Sequence, residues 1–231
     1  MENIVTVQPM AKELWRSRLE IPCYTIGQAA RLTHVSSATI RDWHKLSNRK
    51  PVLGSRQLGA ALSYFQLIEL AVVAAARHAG VSLRAIRNTR EYCARSLKLS
   101  FPFAHLRFQT DGRELIVDQA QLDGEKSRDH LVEASNLGQM AWKEIMGRLV
   151  EFDYDHADFV TRWFVDGRKS PIVIDPRIAF GAPSIGGIPT SLLNLRVQSG
   201  ESPDYVAEDF DLDIEGVLSA IDFEMRASTL H

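Results

Sequence analysis

Residues 24–45 read YTIGQAARLTHVSSATIRDWHK, and this stretch decides how the N-terminal part of the chain folds. Thr25 and Gln28 have the spacing of a capping box, in which two backbone donors at a helix start are satisfied reciprocally. Ser36 is a good N-cap for a second helix, which follows a turn centred on His34. We therefore predict two short helices joined by a tight turn.

The second helix, expected over Ser37–Leu46, has two distinct faces. Val35, Ile40 and Trp43 fall where a helix-turn-helix needs apolar packing, and Ala30 is the small residue that lets the helices approach closely. The opposite face carries Ser37, Ala38, Arg41, Asp42 and Lys45. In a helix-turn-helix that face enters the DNA major groove, whereas in an ordinary helical hairpin it is a solvated charged surface.

This stretch resembles the N-terminal motif of MerR-type regulators. The pattern of that family runs Thr-Ile-Gly-x-Ala-Ala, then Val-Ser, then Thr-Ile-Arg, and the matching letters here are TIGQAA, VS and TIR. His34 replaces the turn glycine of that family, at a position that can require a left-handed backbone. Trp43-His44 replaces its aromatic Tyr pairs. Through RHAGVSLRAIR the resemblance extends over about residues 23–97, and it implies a winged helix-turn-helix.

The basic segment SNRKPVLGSR, residues 47–56, resembles the wing of that domain, where a small hairpin sets cations against phosphates; otherwise it is a basic surface loop. Arg41 is the candidate for base readout, and the other cations are candidates for phosphate contacts. The predicted DNA-binding residues are Thr25, Ser37, Thr39, Arg41, Asp42, Lys45, Arg49, Lys50 and Arg56.

Charge is distributed unevenly along the 231 residues, although the net charge is only −2. Hydrophobic content of 45% and charged content of 24% are typical of a soluble globular protein. Cations dominate between Tyr24 and Arg56, whereas from Glu201 onward carboxylates outnumber the single cation, Arg226. This asymmetry indicates one end suited to nucleic acid and another that faces a different partner.

Cysteine usage and hydropathy predict a cytoplasmic protein. Cys23 and Cys93 are too few for a disulfide framework and fit a reducing cytosol. The start, MENIVTVQPMAKELW, lacks the pattern of a signal peptide. The longest apolar run, Leu70–Ala76, is too short to span a bilayer, so we expect no membrane association.

The middle of the chain supplies the candidate dimer interface. Residues 103–118 alternate around Asp111-Gly112 and predict a hairpin. Ser127–Phe152 predicts a long helix whose apolar surface must be buried on its own chain or on a partner. We expect a homodimer through this surface, helped by Leu67–Ala74 of a helix predicted over Ser63–His78.

The last sixty residues predict a short strand within residues 171–176, a Gly/Pro-rich segment and three short helices. The helices run from Thr190, as a cap, to Ser199, from the cap Ser202 to about Phe210, and over Ile214–Met225. The unit resembles a small domain of VapB-type antitoxins through Gly181, Pro183, Ile185, Gly187, Ile188, Pro189, Thr190, Gly200, Ser202, Val206, Ala207, Asp209, Phe210, Val217, Ala220, Ile221, Phe223 and Glu224.

The antitoxin resemblance implies that the chain neutralises a PIN-domain (VapC-type) ribonuclease toxin and represses its own operon. The family's Gly-Thr-Arg is shortened here to Gly186-Gly187, so the role of that arginine is not carried over. Phe223 and Met225 are candidate apolar anchors for a toxin, and Arg226 is a candidate partner for the carboxylates of its active site. Packing of Phe223 into the core of the unit is the alternative.

The motifs that suggest chemistry are weak. DYDHAD, residues 153–158, groups carboxylates with one histidine but lacks the spacing of a calcium or zinc site, so we interpret it as a solvated loop. FGAPSIGG lacks the Lys-Ser/Thr of a phosphate loop, and its glycines fit tight turns. Cys93 has no cysteine partner for a metal sensor. We expect no metal, no cofactor and no enzymatic activity.

The sequence thus predicts a mainly α protein with a minor α+β character. Its expected parts are an N-terminal arm (1–22), a MerR-like winged helix-turn-helix (23–97), a hairpin and helical connector (98–169) and a tri-helical antitoxin-like domain (170–231). The predicted function is a DNA-binding antitoxin and autorepressor, with operator DNA and a toxin as partners. The alternative is a one-component transcription regulator whose residues 101–231 bind a small effector.

Overall fold

The computed structural model of the protein describes residues 15–45, 52–54, 59–78, 80–105, 147, 149–154 and 159–228. Within these ranges the chain is mainly helical and carries one small antiparallel sheet, as the sequence predicts. No helix in the described ranges is both long and apolar enough to cross a bilayer.

The N-terminal unit is helical and follows a helical turn at residues 15–18. Ser82 accepts a hydrogen bond from the amide of Ala85 at 3.1 Å and caps the helix that begins at Leu83. The bounds are α1 (Ile26–Thr33), α2 (Ser37–His44), α3 (Tyr64–His78), α4 (Leu83–Leu97) and a 3-10 turn (Pro102–Ala104).

The central helix of this unit, α3, begins with a second capping box, in which the amide of Ser63 donates to Gln66 Oε1 at 2.9 Å. Between Tyr64 and Ala76 every residue except Gln66 is buried. The segment Leu67–Ala74 is therefore covered by its own chain. The expectation that it would help a dimer interface was wrong, because its apolar surface forms the core of the unit.

The sheet is an antiparallel meander in the order β1-β2-β3-β4-β5. Gly186 and Gly187, with φ of 57° and 88°, make the tight turn that joins the last two strands. Phe152 begins a strand, although its hydrophobic pattern predicted the end of a helix. The strands are β1 (Phe152–Tyr154), β2 (Val160–Phe164), β3 (Val173–Ile174), β4 (Ser184–Ile185) and β5 (Ile188–Pro189).

Most of the predicted middle segment lies outside the described residues, including 106–146 and 155–158. At its start, Pro102–Ala104 is a 3-10 turn and His105 forms an antiparallel bridge with Phe159. Asp153, which the sequence assigned to a loop, lies in β1 and pairs with Arg168 at 2.6 Å. The predicted hairpin and long helix therefore stay predictions.

Three helices complete the chain, α5 (Thr190–Gln198), α6 (Pro203–Asp209) and α7 (Ile214–Ser228). The last helix packs against the other two. Thr190 is the first helical residue and not the N-cap that the sequence predicted, because its hydroxyl bonds to Pro183 O and Glu224 Oε1 instead. Together with the chain from β3 to β5 these helices are called the C-terminal unit below. Its buried core contains Ile185, Leu193, Val206, Ala207, Val217, Ala220 and Phe223.

The N-terminal and C-terminal units contact each other directly. The hydroxyl of Tyr24 donates to the carbonyl of Gly181 at 2.9 Å, and Arg31 on α1 pairs with Glu224 on α7 at 3.2 Å. The buried residues of both units belong to one continuous apolar cluster. Helices α1 and α2 are thus packed on the C-terminal unit.

Candidate nucleic-acid interface

The first helix of the motif is fixed at both ends by local hydrogen bonds. The amide of Thr25 donates to Gln28 Oε1 at 2.8 Å, and the amide of Gln28 donates to Thr25 Oγ1 at 3.2 Å, which completes the predicted capping box. His34 ends the helix in the left-handed region, with φ 55° and ψ 31°. Ala29, and not Ala30, is the fully buried small residue of this helix.

The second helix, α2, is shorter than predicted and ends at His44. Ser36 Oγ accepts from the amide of Thr39 at 3.1 Å, which confirms the predicted cap. Ile40 and Trp43 are buried, and they fix α2 against the rest of the unit. This packing leaves the opposite face of α2 exposed, in the arrangement that a recognition helix needs.

The predicted DNA-binding residues divide into three groups. Thr25, Arg41, Asp42 and Lys45 are exposed. Ser37 and Thr39 are half-buried at the start of α2. The residues Arg49, Lys50 and Arg56 lie outside the described part of the chain. Lys45 Nζ pairs with Asp42 Oδ1 at 2.7 Å, so a phosphate contact by Lys45 would compete with this exposed ion pair.

The end of α2 anchors the segment that follows it. Val52 and Leu53 are buried, and their amides donate to the carbonyl of Trp43 at 3.0 and 3.2 Å. The ring nitrogen Nδ1 of His44 lies 3.0 Å from the carbonyl of Gly54. These contacts fix residues 52–54, the described part of the predicted wing, against the end of α2.

A largely buried ion pair between α3 and α4 lies beside the segment 52–54. Arg90 on α4 donates from Nε to Glu69 Oε2 on α3 at 2.9 Å, and its Nη2 donates to the carbonyl of Ser100. Burial raises the pKa of the Glu69 carboxyl, and Arg90 opposes that rise. A Cβ atom at Gly54 would lie 3.3 Å from Nη2 of the same guanidinium. Arg90 thus connects α3 and α4 with the base of the wing segment.

The sequence reasoning missed two of these supporting contacts, Glu69–Arg90 and His44–Gly54. The signal for the first was a glutamate within the apolar face of α3, because a carboxylate in such a position is seldom buried without a partner. The second has no comparable signal, since a histidine at a helix end is more often exposed.

The three predicted toxin-binding residues lie on α7 in different environments. Phe223 is 6% exposed and packs in the core, with the guanidinium of Arg31 5.7 Å from its ring. This matches the alternative given for Phe223, in which it packs into the core of the unit and is not a toxin anchor. Met225 is 60% exposed. Arg226 pairs with Asp166 at 2.8 Å and with Asp222 at 3.0 Å, so it is already engaged by carboxylates of its own chain.

The outer surface of the C-terminal unit is acidic with exposed apolar residues between the charges. On α7, Leu218, Asp222 and Met225 have the i, i+4, i+7 spacing of one helix face, and all three are exposed. The other exposed carboxylates after residue 200 are Asp204, Glu208, Asp209, Asp211, Asp213 and Glu215.

Comparisons with known proteins match both ends of the chain. Residues 24–93 match the family model "MerR HTH family regulatory protein", and residues 172–223 match "Protein of unknown function (DUF433)". The putative antitoxin VapB45 of Mycobacterium tuberculosis is 25% identical over 228 residues, which cover 89% of this chain and 95% of that protein.

A solved structure shows the same fold. The crystal structure of Rv2018 from Mycobacterium tuberculosis superposes with a TM-score of 0.73 at 21% identity, and the match covers 89% of this chain and 100% of that one. Residues 24–93 are therefore similar to MerR-type regulators and residues 172–223 to DUF433 proteins, and along most of its length the chain is similar to a putative VapB-type antitoxin.

Proposed function

We propose that this protein is a DNA-binding antitoxin of a type II toxin–antitoxin system, which neutralises a PIN-domain ribonuclease and represses its own operon in the cytoplasm. The observation that carries the proposal is the likeness of the chain, over 89% of its length, to a putative antitoxin. In this proposal the nuclease chemistry belongs to the toxin, and the present chain is not an enzyme.

The DNA-binding half of the proposal rests on the exposed face of α2. Arg41 is exposed on a helix that buried side chains hold in place, so it can reach a base edge in the major groove. Lys45, Arg49, Lys50 and Arg56 would neutralise phosphates. A single motif covers little DNA, and we propose a homodimer on a palindromic operator, with the interface within Ser127–Phe152.

The toxin-binding half rests on the outer surface of the C-terminal unit. An acidic surface is a poor ligand for DNA but complements the basic surface of an enzyme that cuts RNA. Leu218 and Met225 on the exposed face of α7 would supply apolar anchors within that surface. We retain Arg226 as a candidate contact that would exchange Asp166 for a toxin carboxylate.

The test is co-expression with the reading frame next to the gene. If the proposal holds, that reading frame arrests growth of a bacterial host, the present protein restores growth, and the two products co-purify. The purified complex should lack ribonuclease activity, and the protein should bind the DNA upstream of its own gene in preference to random DNA. A neighbouring product that is harmless and fails to bind would overturn the antitoxin assignment.

The alternative, a one-component regulator with a small effector, has one observation in its favour. A pocket lies at the junction of the helix-turn-helix unit and the C-terminal unit. Operator binding that responds to a small molecule, with no toxin in the neighbourhood of the gene, would select this alternative.

A further inference from the structure

The pocket at the junction of the two units has an apolar floor and a mixed rim. Its volume is about 240 Å³. Tyr24 and Tyr64 of the N-terminal unit and Pro176 of the C-terminal unit form the floor and are buried. The exposed rim consists of Arg18, Ile21, Cys23 and Phe180.

The rim residue Phe180 is held in an exposed and strained conformation. It is 79% exposed, and Ala179, Phe180 and Gly181 in succession have positive φ of 46°, 53° and 79°. A left-handed backbone is unfavourable for residues with a side chain. The hydrogen bond from Tyr24 to Gly181 O fixes this segment against the N-terminal unit. An exposed aromatic ring held in this way is suited to cover a ligand.

The polar groups of the pocket favour an anion. The Arg18 guanidinium lies 5.3 Å from the centre of the Phe180 ring, and no carboxylate of the described residues pairs with it. The nearby Asp175 is neutralised by Arg177, at 2.6 Å, and by Arg162.

Tyr64, which lines the floor, carries a polar group without a partner among the described residues. The hydroxyl of Tyr64 is buried, and within the described part of the chain it has no hydrogen-bond partner. A buried hydroxyl without a partner is unfavourable and commonly marks a site where a water or ligand completes the bonding.

The size of the pocket limits the ligand. An apolar cavity of about 150 Å³ holds benzene, so 240 Å³ accommodates one aromatic ring with a short tail. We propose that the pocket binds a small aromatic carboxylate, with the ring between Tyr24, Tyr64 and Phe180 and the carboxylate at Arg18. This inference does not depend on the antitoxin proposal, since it concerns a different surface of the chain.

Two thiols allow a direct measurement of occupancy. Cys23 is exposed on the pocket rim and Cys93 is buried, so a thiol reagent should modify Cys23 first. Although the residue is exposed, neighbouring atoms partly desolvate the Cys23 thiol and raise its pKa, and the assay is therefore run at about pH 9 to obtain enough thiolate. The probe is 3-phenylpropionate, and the matched neutral control is 3-phenylpropanol.

The expected result is saturable protection of Cys23 by 3-phenylpropionate, with a calorimetric Kd below about 1 mM. Arg18→Gln should weaken binding of the acid about tenfold and leave binding of the alcohol unchanged, because only the acid engages the guanidinium. Phe180→Ala should weaken both. Both positions are exposed, so neither variant is expected to unfold.

Two outcomes would overturn the inference. Absence of saturable protection and of binding heat up to about 5 mM probe would show that the pocket does not bind this class of ligand. Equal affinity for acid and alcohol, with no effect of Arg18→Gln, would refute the anion assignment. Growth rescue in the presence of the toxin is unaffected by either outcome, so a failure here is distinguishable from a failure of the proposed function.

Discussion

The Arg31 guanidinium donates a hydrogen bond to a carboxylate oxygen of Glu224 at 3.2 Å, across 193 positions of sequence. This contact links α1 of the helix-turn-helix with α7, the last helix of the chain. Glu224 is 9% exposed and also accepts a hydrogen bond from Thr190 Oγ1 at 2.5 Å. The position of α1 on the C-terminal unit therefore depends on a largely buried charge that needs both partners.

We expect the Arg31–Glu224 pair to contribute measurably to stability. A double-mutant cycle of Arg31→Met and Glu224→Gln, followed by urea unfolding, should give a coupling energy of about 0.5–2 kcal/mol. We expect a coupling energy no larger than this because the Arg31 side chain is 28% exposed and solvent partly screens its charge.

The exposed pair Lys45–Asp42 is the matched control for that cycle. Its side chains are 67% and 64% exposed, so the coupling should be at most about 0.5 kcal/mol. A cycle for Arg31–Glu224 no larger than this control would show that the contact between the units is incidental.

Gly181 is predicted to be intolerant of any side chain. Its φ is 79°, and a Cβ at this position would overlap the hydroxyl of Tyr24. Gly181→Ala should therefore lose both the backbone fit and the Tyr24 hydrogen bond, and we expect a destabilisation of about 2–4 kcal/mol in urea unfolding.

Gly200→Ala separates the two effects. Gly200 also has a positive φ, 103°, but open space surrounds the position of its Cβ. This variant should lose only about 1 kcal/mol, which is the cost of the backbone conformation. Equal losses in the two variants would contradict the role of Tyr24.

Local contacts of the helix-turn-helix could be predicted from the sequence, because each joins residues within one helical turn. The Thr25–Gln28 box and the Ser36 cap are of this kind. The Tyr24–Gly181 contact spans 157 positions, and no periodicity encodes such a pairing. The same reason explains why Thr190 is not the predicted N-cap. Its hydroxyl donates a hydrogen bond to Glu224, which is distant in sequence.

The burial of Phe223 shows the limit of pattern reasoning for the candidate site. Phe223 and Met225 are two positions apart on α7, and the sequence alone does not show which of the two side chains is buried. Tertiary packing decides this. Arg31 from the other end of the chain lies over the Phe223 ring. The exposed Leu218 was not among the predicted contacts, although its spacing to Met225 could have indicated a shared face.

Asp175 is expected to make stability depend on pH in the acid range. Burial alone raises its pKa, but hydrogen bonds from Arg177 and the charges of Arg177 and Arg162 outweigh this and lower it. The ionised carboxylate thus contributes stability that is present above the ordinary pKa of 3.8. That contribution is lost as the pH falls through the lowered folded-state pKa.

The measurement is urea unfolding between pH 7 and pH 3. Asp175→Asn should be less stable than the wild type at pH 7 and should lose less stability on acidification. Glu208→Gln, at an exposed position on α6, is the control and should follow the wild-type curve. An unchanged acid dependence in Asp175→Asn would refute the assignment.

The predicted DNA-binding residues should separate into two classes by the effects of their substitution. Arg41→Ala should reduce the preference for operator over random DNA by about 1–3 kcal/mol, because it removes a base contact. Lys50→Ala should weaken binding to all sequences alike and reduce the slope of log K against log salt by about 1. Titrations at several salt concentrations measure both effects, and equal loss on both DNAs in Arg41→Ala would exclude base readout.

Dimerisation in solution is expected because one helix-turn-helix covers only a half-site. Light scattering at micromolar concentration should give a mass twice that of the single chain, which is 25.9 kDa. Removal of the apolar side chains of residues 127–146, which leaves the buried Leu149 and Phe152 in place, should produce monomers that bind the operator weakly. A monomer that binds the operator with undiminished affinity would contradict the expectation.

Toxin capture is predicted to depend on the exposed face of α7 and not on Phe223. Met225→Asp replaces an apolar side chain of that face by a charge, and it should weaken toxin binding at least about tenfold while stability changes by less than about 0.5 kcal/mol. Ile21→Asp is the matched control, because Ile21 is similarly exposed, at 53%, but lies in the N-terminal part of the chain and not on α7. Phe223→Ala should instead destabilise the protein by about 3–5 kcal/mol, since it empties part of the core.

Arg226→Ala tests whether this residue reaches the toxin. If Arg226 serves only its pairs with Asp166 and Asp222, its removal should leave both toxin affinity and inhibition nearly unchanged, because exposed ion pairs contribute little. If it exchanges these partners for carboxylates of the toxin, the variant should still bind through Leu218 and Met225 but should inhibit the ribonuclease less completely. Calorimetry and a ribonuclease assay on the same complex separate the two results, and retention of full inhibition would remove Arg226 from the toxin-binding set.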